Sequence, residues 1–258
     1  MNDLYTIFLN NQDNKILKWD HYFMVYDRYF SPFRGKPINL LEIGIFDGGS
    51  LRMWREYFGP QANIYGIDIL PECKSLENEG FHISIGSQTD RNFLRRYKAE
   101  HPAFDIIIDD GGHTMKQQVI TFQELYDAVK IGGIYLCEDV HTSYWVNYGG
   151  GLRRPGTFIE YSKKMVDQLN AWHSKQHRFQ PDNITKTTSS IHFYDSMVLF
   201  EKDNREPPAK VESGTYKLMP RASMNKLSLS KRIKGRILII FNIVLRMMNL
   251  PGWWISKP

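Results

Sequence analysis

Leu40-Leu-Glu-Ile-Gly-Ile-Phe-Asp-Gly-Gly-Ser50 decides the fold. Leu40, Leu41, Ile43 and Ile45 make a short apolar run, the pattern of a parallel strand covered on both faces. Gly44, Gly48 and Gly49 then permit a tight turn in which backbone comes close to a ligand, and Ser50 is placed to cap a following helix. Glu42 interrupts the run, and a buried carboxylate is costly without a partner. A second strand-like run, Asn63 to Ile69, brings Asp68 to its end, where nucleotide-binding α/β folds engage ribose hydroxyls. The spacing G-x-G-x-x-G is absent, which argues against a standard NAD site.

Outward from this stretch, strands and helices alternate. Strands are expected at 39–45, 63–69, 81–86, 104–109 and 132–137. Helices are expected at 49–58, 72–79, 90–100, 115–130 and about 157–177. Such alternation implies a mostly parallel sheet with right-handed crossovers and helices on both faces, with ligands beyond the carboxyl ends of the strands. Residues 188–203 read as a closing β-hairpin turning at Tyr194 to Met197. After the third strand, Ser87 or Gln88 is placed to edge a bound base; equally, Ser87 or Thr89 is placed to cap the next helix.

The charged chemistry sits at strand ends. Phe104-Asp-Ile-Ile-Ile-Asp-Asp-Gly-Gly-His113 delivers Asp109 and Asp110, then a glycine turn that places His113 nearby. The next strand delivers Glu138 and Asp139. If these ends are neighbours, Asp110, Glu138 and Asp139 converge, an unfavourable concentration of negative charge unless a cation intervenes. A hard divalent ion with oxygen ligands, Mg²⁺, is the natural candidate, and His113 is positioned for general-base work. The alternative is that these acids cap helices and face other groups with no metal.

Two patterns carry a resemblance. Glu42-x-Gly-x-x-x-Gly-Gly-Ser50, with Asp68 ending the second strand, resembles the first motif of class I S-adenosylmethionine (SAM) methyltransferases, which implies a Rossmann-like, seven-stranded sheet. Asp109-Asp-Gly-Gly-His113, followed by Glu138-Asp-Val-His-Thr-Ser-Tyr-Trp145, resembles the metal-dependent sugar O-methyltransferases of macrolide antibiotic pathways, of mycinamicin and tylosin type. That resemblance runs from about Leu40 to Trp172. It implies SAM on Glu42, Gly44 and Asp68 with Asp109 close by, Mg²⁺ on Asp110, Glu138 and Asp139, and His113 as the base. His141, Tyr144 and Trp145 follow the metal motif and are candidates for an acceptor rim. The implied activity is methylation of a sugar hydroxyl in a bacterial polysaccharide or glycoconjugate. A catechol or polyketide diol is the alternative acceptor, and a catalytically silent membrane scaffold the alternative class.

Composition sets further bounds. The 258 residues, 42% hydrophobic and 24% charged, suffice for one large α/β domain with a tail. The net charge of +5 comes from the tail: from Ser213 onward there is no acidic residue, while basic residues run from Lys217 to Lys257. No nucleic-acid partner is therefore expected for the body. Cys73 and Cys137 form neither a zinc pattern nor a disulfide framework, and the first residues lack a secretory pattern, so a cytosolic setting is expected. Residues 1–37 are read as a helical lead whose first 14 residues are partly mobile. In it Phe23, Tyr26 and Phe30 share one helical face, either packed on the core or forming a lid with Tyr22 or Tyr26 on the cofactor. Residues 38–205 are read as the catalytic domain and 206–258 as the tail. There Ile237 to Leu245, between basic residues and Trp253-Trp254, suits a helix lying on the inner face of a membrane. A homo-oligomer is expected.

Overall fold

The computed structural model describes residues 3–215 and 229–248. Residues 1–208 form one compact unit and 209–258 a second. In the first, helices α1 (Asp3–Leu9) and α2 (Tyr22–Phe30) precede β1 (Asn39–Ile43), α3 (Gly49–Phe58) and β2 (Asn63–Asp68). β3 (His82–Ile85), α4 (Arg91–Glu100), β4 (Phe104–Asp109), α5 (Met115–Leu125) and β5 (Val129–Cys137) follow. α6 (Phe158–Leu169), α7 (Asn183–Thr187), β6 (Thr188–Tyr194) and β7 (Met197–Lys202) complete it. The seven strands lie in the order β3-β2-β1-β4-β5-β7-β6. The first five are parallel, and β7 runs antiparallel to both β5 and β6. The order reverses at β1, so a crevice opens between the carboxyl ends of β1 and β4.

The sheet is covered on both faces, as the unbroken apolar strands require. Along β1, Leu40 joins the core beneath α1, α2 and α3, and Leu41 and Ile43 join the core beneath α4, α5 and α6. Phe23, Tyr26 and Phe30 of α2 are all buried, so the shared aromatic face packs on the core.

Several boundaries differ from the sequence reading. The first residues form α1, which buries Leu4, and Tyr5 and Phe8 pack on Phe23, with ring centroids 5.0 and 4.7 Å away. Pro71–Glu79 is a 3₁₀ helix; its buried residues, Cys73 and Leu76, are three apart, the repeat that stacks in 3₁₀ geometry. The helix expected to reach residue 130 ends at Leu125. After one 3₁₀ turn the chain enters β5 at Val129, since Val129 and Ala128 are needed as core beside Phe104. Helix α6 stops at Leu169, eight residues short of the expected end, where the Asn170 side chain donates to the Val166 carbonyl. Asp90, rather than Ser87 or Thr89, caps α4, accepting from the amides of Asn92 and Phe93. Ser50 is not a cap either: Gly48 holds that position with φ 81°.

In the second unit, α8 (Leu229–Met247) is helical. Among the described residues no helix is long and apolar enough to cross a membrane. Trp253 and Trp254 lie outside the described residues.

Candidate active site

The crevice holds a cavity of about 510 Å³, within the usual range for small-molecule sites. Its wall is built from loops leaving successive strands: Gly44 to Phe46 after β1, Asp68 to Leu70 at β2, Gly86 to Gln88 after β3, and Asp110 to His113 after β4. Asp139, after β5, and Lys15 to Lys18 close it.

Asp68 shapes this wall. Its Oδ2 accepts from the amides of Ile45 (2.7 Å) and Phe46 (3.0 Å), and its Oδ1 accepts from the Leu70 amide (2.9 Å). The acid at the end of β2 thus fixes the glycine turn after β1 while still facing the cavity.

Gln88 joins the next two loops. Its Oε1 accepts from the Gly112 amide (2.7 Å), and its Nε2 donates to Asp109 Oδ1 and Thr121 Oγ1, each at 3.0 Å. Ser87 also reaches the cavity, with its hydroxyl 3.0 Å from that of Thr89. Glu42 and Asp109, expected to touch the cofactor, stand behind the wall. Glu42 is fully buried and accepts from Ser50 Oγ at 2.7 Å, which is the role Ser50 takes in place of capping. Asp109 is buried among Gln88, Tyr135 and the strand; burial pushes its carboxyl up to about 7, against the pull of hydrogen bonds from Gln88 and Tyr135.

Beside the cavity, Asp110, His113 and Asp139 meet. One ligand atom from each lies within 4.8 Å of the other two, the only such group of three or more His, Cys, Asp or Glu residues among the described residues. His113 Nε2 is 3.9 Å from Asp110 Oδ1 and 3.6 Å from Asp139 Oδ2. Both His113 and Asp139 have positive φ, 55° and 52°, an uncommon conformation for residues with a Cβ. Buried Thr142 has its hydroxyl 2.8 Å from the carbonyl oxygens of both, which ties the two strained turns together. Tyr22 donates to Asp139 Oδ1 at 2.6 Å.

Glu138 lies one layer deeper, fully buried. Its Oε1 accepts from Tyr26 (2.6 Å) and its Oε2 from Lys18 (2.9 Å). Burial raises its carboxyl above the ordinary range, and Lys18 acts against that rise. Tyr22 and Tyr26 therefore orient the acids and do not reach into the cavity. Lys18 itself was not apparent from the sequence; the only signal was indirect, the need for a cation among buried carboxylates.

His141, Tyr144 and Trp145 do not line the cavity. His141 Nδ1 hydrogen-bonds Ser196 Oγ and sits 3.9 Å from Asp139 Oδ1. Trp145 and Trp19 flank the His141 ring with centroids 4.7 and 5.9 Å away. Trp19 and Trp145 are each about half exposed, 54% and 47%, and form an aromatic rim beside the acid cluster; Tyr144 is also exposed.

The overall fold is shared with solved enzymes. MycE methyltransferase from the mycinamycin biosynthetic pathway, solved with Mg and SAH, is 29% identical with a TM-score of 0.65 over 79% of this chain and 54% of that one. A further MycE structure, with Mg, SAH and mycinamycin VI, gives 27% and 0.69 over 91% and 58%. This chain has the class I methyltransferase fold.

Within that class, its similarities are to sugar O-methyltransferases. It is 35% identical over 212 residues to 8-demethyl-8-(2-methoxy-alpha-L-rhamnosyl)-tetracenomycin-C 3'-O-methyltransferase of Streptomyces olivaceus, covering 78% of this chain and 54% of the relative. It is 31% identical over 198 residues to mycinamicin VI 2''-O-methyltransferase of Micromonospora griseorubida, covering 70% and 48%. Demethylmacrocin O-methyltransferase of Streptomyces fradiae is 34% identical over 207 residues, covering 72% and 50%. The chain thus spans about half the length of the curated relatives it matches. No family model matches it.

Proposed function

We propose that this class I methyltransferase is a SAM- and Mg²⁺-dependent O-methyltransferase acting on a sugar hydroxyl. The observation that carries the reading is the junction of two features: a cavity walled by the loops of β1, β2 and β3, and the Asp110–His113–Asp139 cluster at its β4–β5 end. The residues suit both groups. The glycine turn and the cavity-facing Asp68 match a nucleoside, and oxygen donors converging at one point match a hard cation. Gly44, Asp68, Ser87 and Gln88 would hold SAM, and Asp110 and Asp139, with Glu138 behind them, would hold Mg²⁺. When bound, the two supply an electrophilic methyl group and an acidified acceptor hydroxyl.

The chain's own residues do the rest. His113 Nε2, facing the cluster, accepts the proton leaving the hydroxyl. Thr142 and Tyr22 hold His113 and Asp139 in place, so little rearrangement is needed before transfer. The rim of Trp19 and Trp145 offers apolar faces to the acceptor ring. A sugar suits this site because neighbouring hydroxyls can approach a cation while the ring's C–H face lies on aromatics.

The test is methyl transfer from labelled SAM to a panel of glycosides, glycans and catechols, with Mg²⁺ and with EDTA, beside calorimetry of SAH. SAH is expected to bind, and transfer to a sugar acceptor is expected to fall at least about tenfold in EDTA. Absence of SAH binding, or transfer indifferent to chelation, would refute the assignment.

We place the acceptor in a membrane-proximal polysaccharide or glycoconjugate, with the protein peripheral to the inner face of the membrane. Ile233, Ile237, Ile240 and Val244 of α8 are exposed at helical spacing, and from Ser213 onward the side-chain charges are all basic. The full chain is expected to float with anionic liposomes, whereas a version ending at Lys210 stays in the aqueous phase. Equal behaviour of the two would remove this placement.

A further inference from the structure

The carboxylates at the ends of β4 and β5 are already bridged by a cation of the chain's own. Lys18 Nζ lies 2.6 Å from Asp110 Oδ2, 2.9 Å from Glu138 Oε2 and 3.6 Å from Glu42 Oε1, and its side chain is 3% exposed. One ammonium thus answers three acids from two different layers of the site. Its hydrogen bonds go to Asp110 and Glu138; Glu42 Oε1 has no hydrogen-bond partner.

Lys18 is carried there by a strap between α1 and α2. The strap is fastened to the glycine turn: Asn14 Nδ2 donates to the Asp47 carbonyl (2.5 Å), and the Lys15 amide donates to Asp47 Oδ2 (3.1 Å). A Cβ at Gly49 would collide with the Asn14 carbonyl and Ile16, so the glycine is what lets the strap lie this close. Lys15 to Lys18 form part of the cavity wall.

We propose that Lys18 and the divalent ion are alternative occupants of the gap between Asp110 and Glu138, and that the strap is a tethered plug which metal entry displaces. The inference rests on the metal assigned under the proposed function. Buried carboxylates without a counter-charge are strongly unfavourable, and Lys18 supplies that charge when no metal is bound. Mg²⁺ takes oxygen ligands at about 2.0–2.1 Å in a near-octahedral shell and retains several waters. Lys18 Nζ, within hydrogen-bond distance of both carboxylates, fills that space, and two cations sharing it would repel. The cation that neutralises these acids is therefore a competitor for the metal.

Competition has a measurable signature. A site open to metal in only a fraction of molecules shows an apparent Kd raised by the inverse of that fraction. With Lys18 seated in nine molecules of ten, Lys18→Met, which removes the charge and shortens the side chain by one atom, should bind Mg²⁺ about tenfold more tightly than the wild-type chain. Calorimetric titration of Mg²⁺ into both full-length proteins reads this directly, with circular dichroism confirming that the variant is folded. Equal or weaker affinity in a folded variant overturns the proposal.

Should the variant not fold, hydrogen exchange of the wild-type chain decides. Saturating Mg²⁺ should speed exchange in residues 13–18, and unchanged or slower exchange there overturns the plug. Binding of equal strength to both proteins defeats the plug alone. No Mg²⁺ binding to either defeats the assigned metal, and the plug with it.

Discussion

Replacing His113 by alanine is expected to lower methyl transfer about a thousandfold while SAH and Mg²⁺ still bind, the loss being that of a positioned general base. The expectation follows from where the imidazole is held. His113 has φ 55°, its carbonyl is fixed by Thr142, and its Nε2 points between Asp110 and Asp139. Backbone strain of this kind costs on the order of 1–3 kcal/mol and persists only where surrounding structure enforces it. Geometry alone would allow the same nitrogen to serve as a third metal ligand, since it belongs to the three-donor group. The chemistry of the ion separates the roles: Mg²⁺ favours oxygen donors over imidazole. Turnover and Mg²⁺ affinity measured on the one variant distinguish them. A base leaves Mg²⁺ affinity within a few-fold of wild type, whereas a ligand weakens binding and turnover together. Undiminished transfer in His113→Ala would exclude both.

What the sequence revealed and what it hid follow from the range of the interactions concerned. The strands were legible because their apolar runs are local, and β4 ends where its pattern of Phe104 to Asp109 stops. Acids at strand ends were legible for the same reason: a parallel sheet delivers every such residue to one edge. Which acids face the cavity was not. Asp109 and Asp110 are adjacent, yet alternation along the strand turns Asp109 back toward Gln88 and Tyr135 and leaves Asp110 at the wall. Glu138 and Asp139 divide likewise, one bonded to Tyr26 and the other to Tyr22. Tyr26 showed its helical face in the sequence, but the hydroxyls of Tyr26 and Tyr22 reach across 112 and 117 positions of chain. Lys18 sits in an irregular segment with no period to mark it, and only the folded chain brings it to Asp110 and Glu138. The element boundaries that moved, at Leu125 and Pro71, did so because neighbouring strands and a two-residue apolar contact outweighed local helix preference.

Gly44→Ala should be the most damaging single substitution in the glycine turn, lowering stability by about 3–5 kcal/mol. Two costs combine. Gly44 has φ 91°, a conformation that costs a residue with a Cβ roughly 1–2 kcal/mol. Its added Cβ would also fall within contact distance of the Asp110 carbonyl, which is backbone and cannot rotate away. The strand ends are locked at that point: the Gly44 amide donates to Ile67 of β2 and the Asp110 amide to Ile43 of β1, each at 2.9 Å. Relief therefore requires β1 and β4 to part beneath the acid cluster, so Mg²⁺ affinity should fall along with stability. Gly59→Ala provides the comparison: φ is 93°, but nothing lies within 4 Å of the new Cβ. It should show a conformational cost alone, on the order of 1–3 kcal/mol. Urea unfolding of the two variants gives the contact cost by difference, and near-equal losses would mean that the approach of Asp110 to Gly44 contributes nothing to holding the site together.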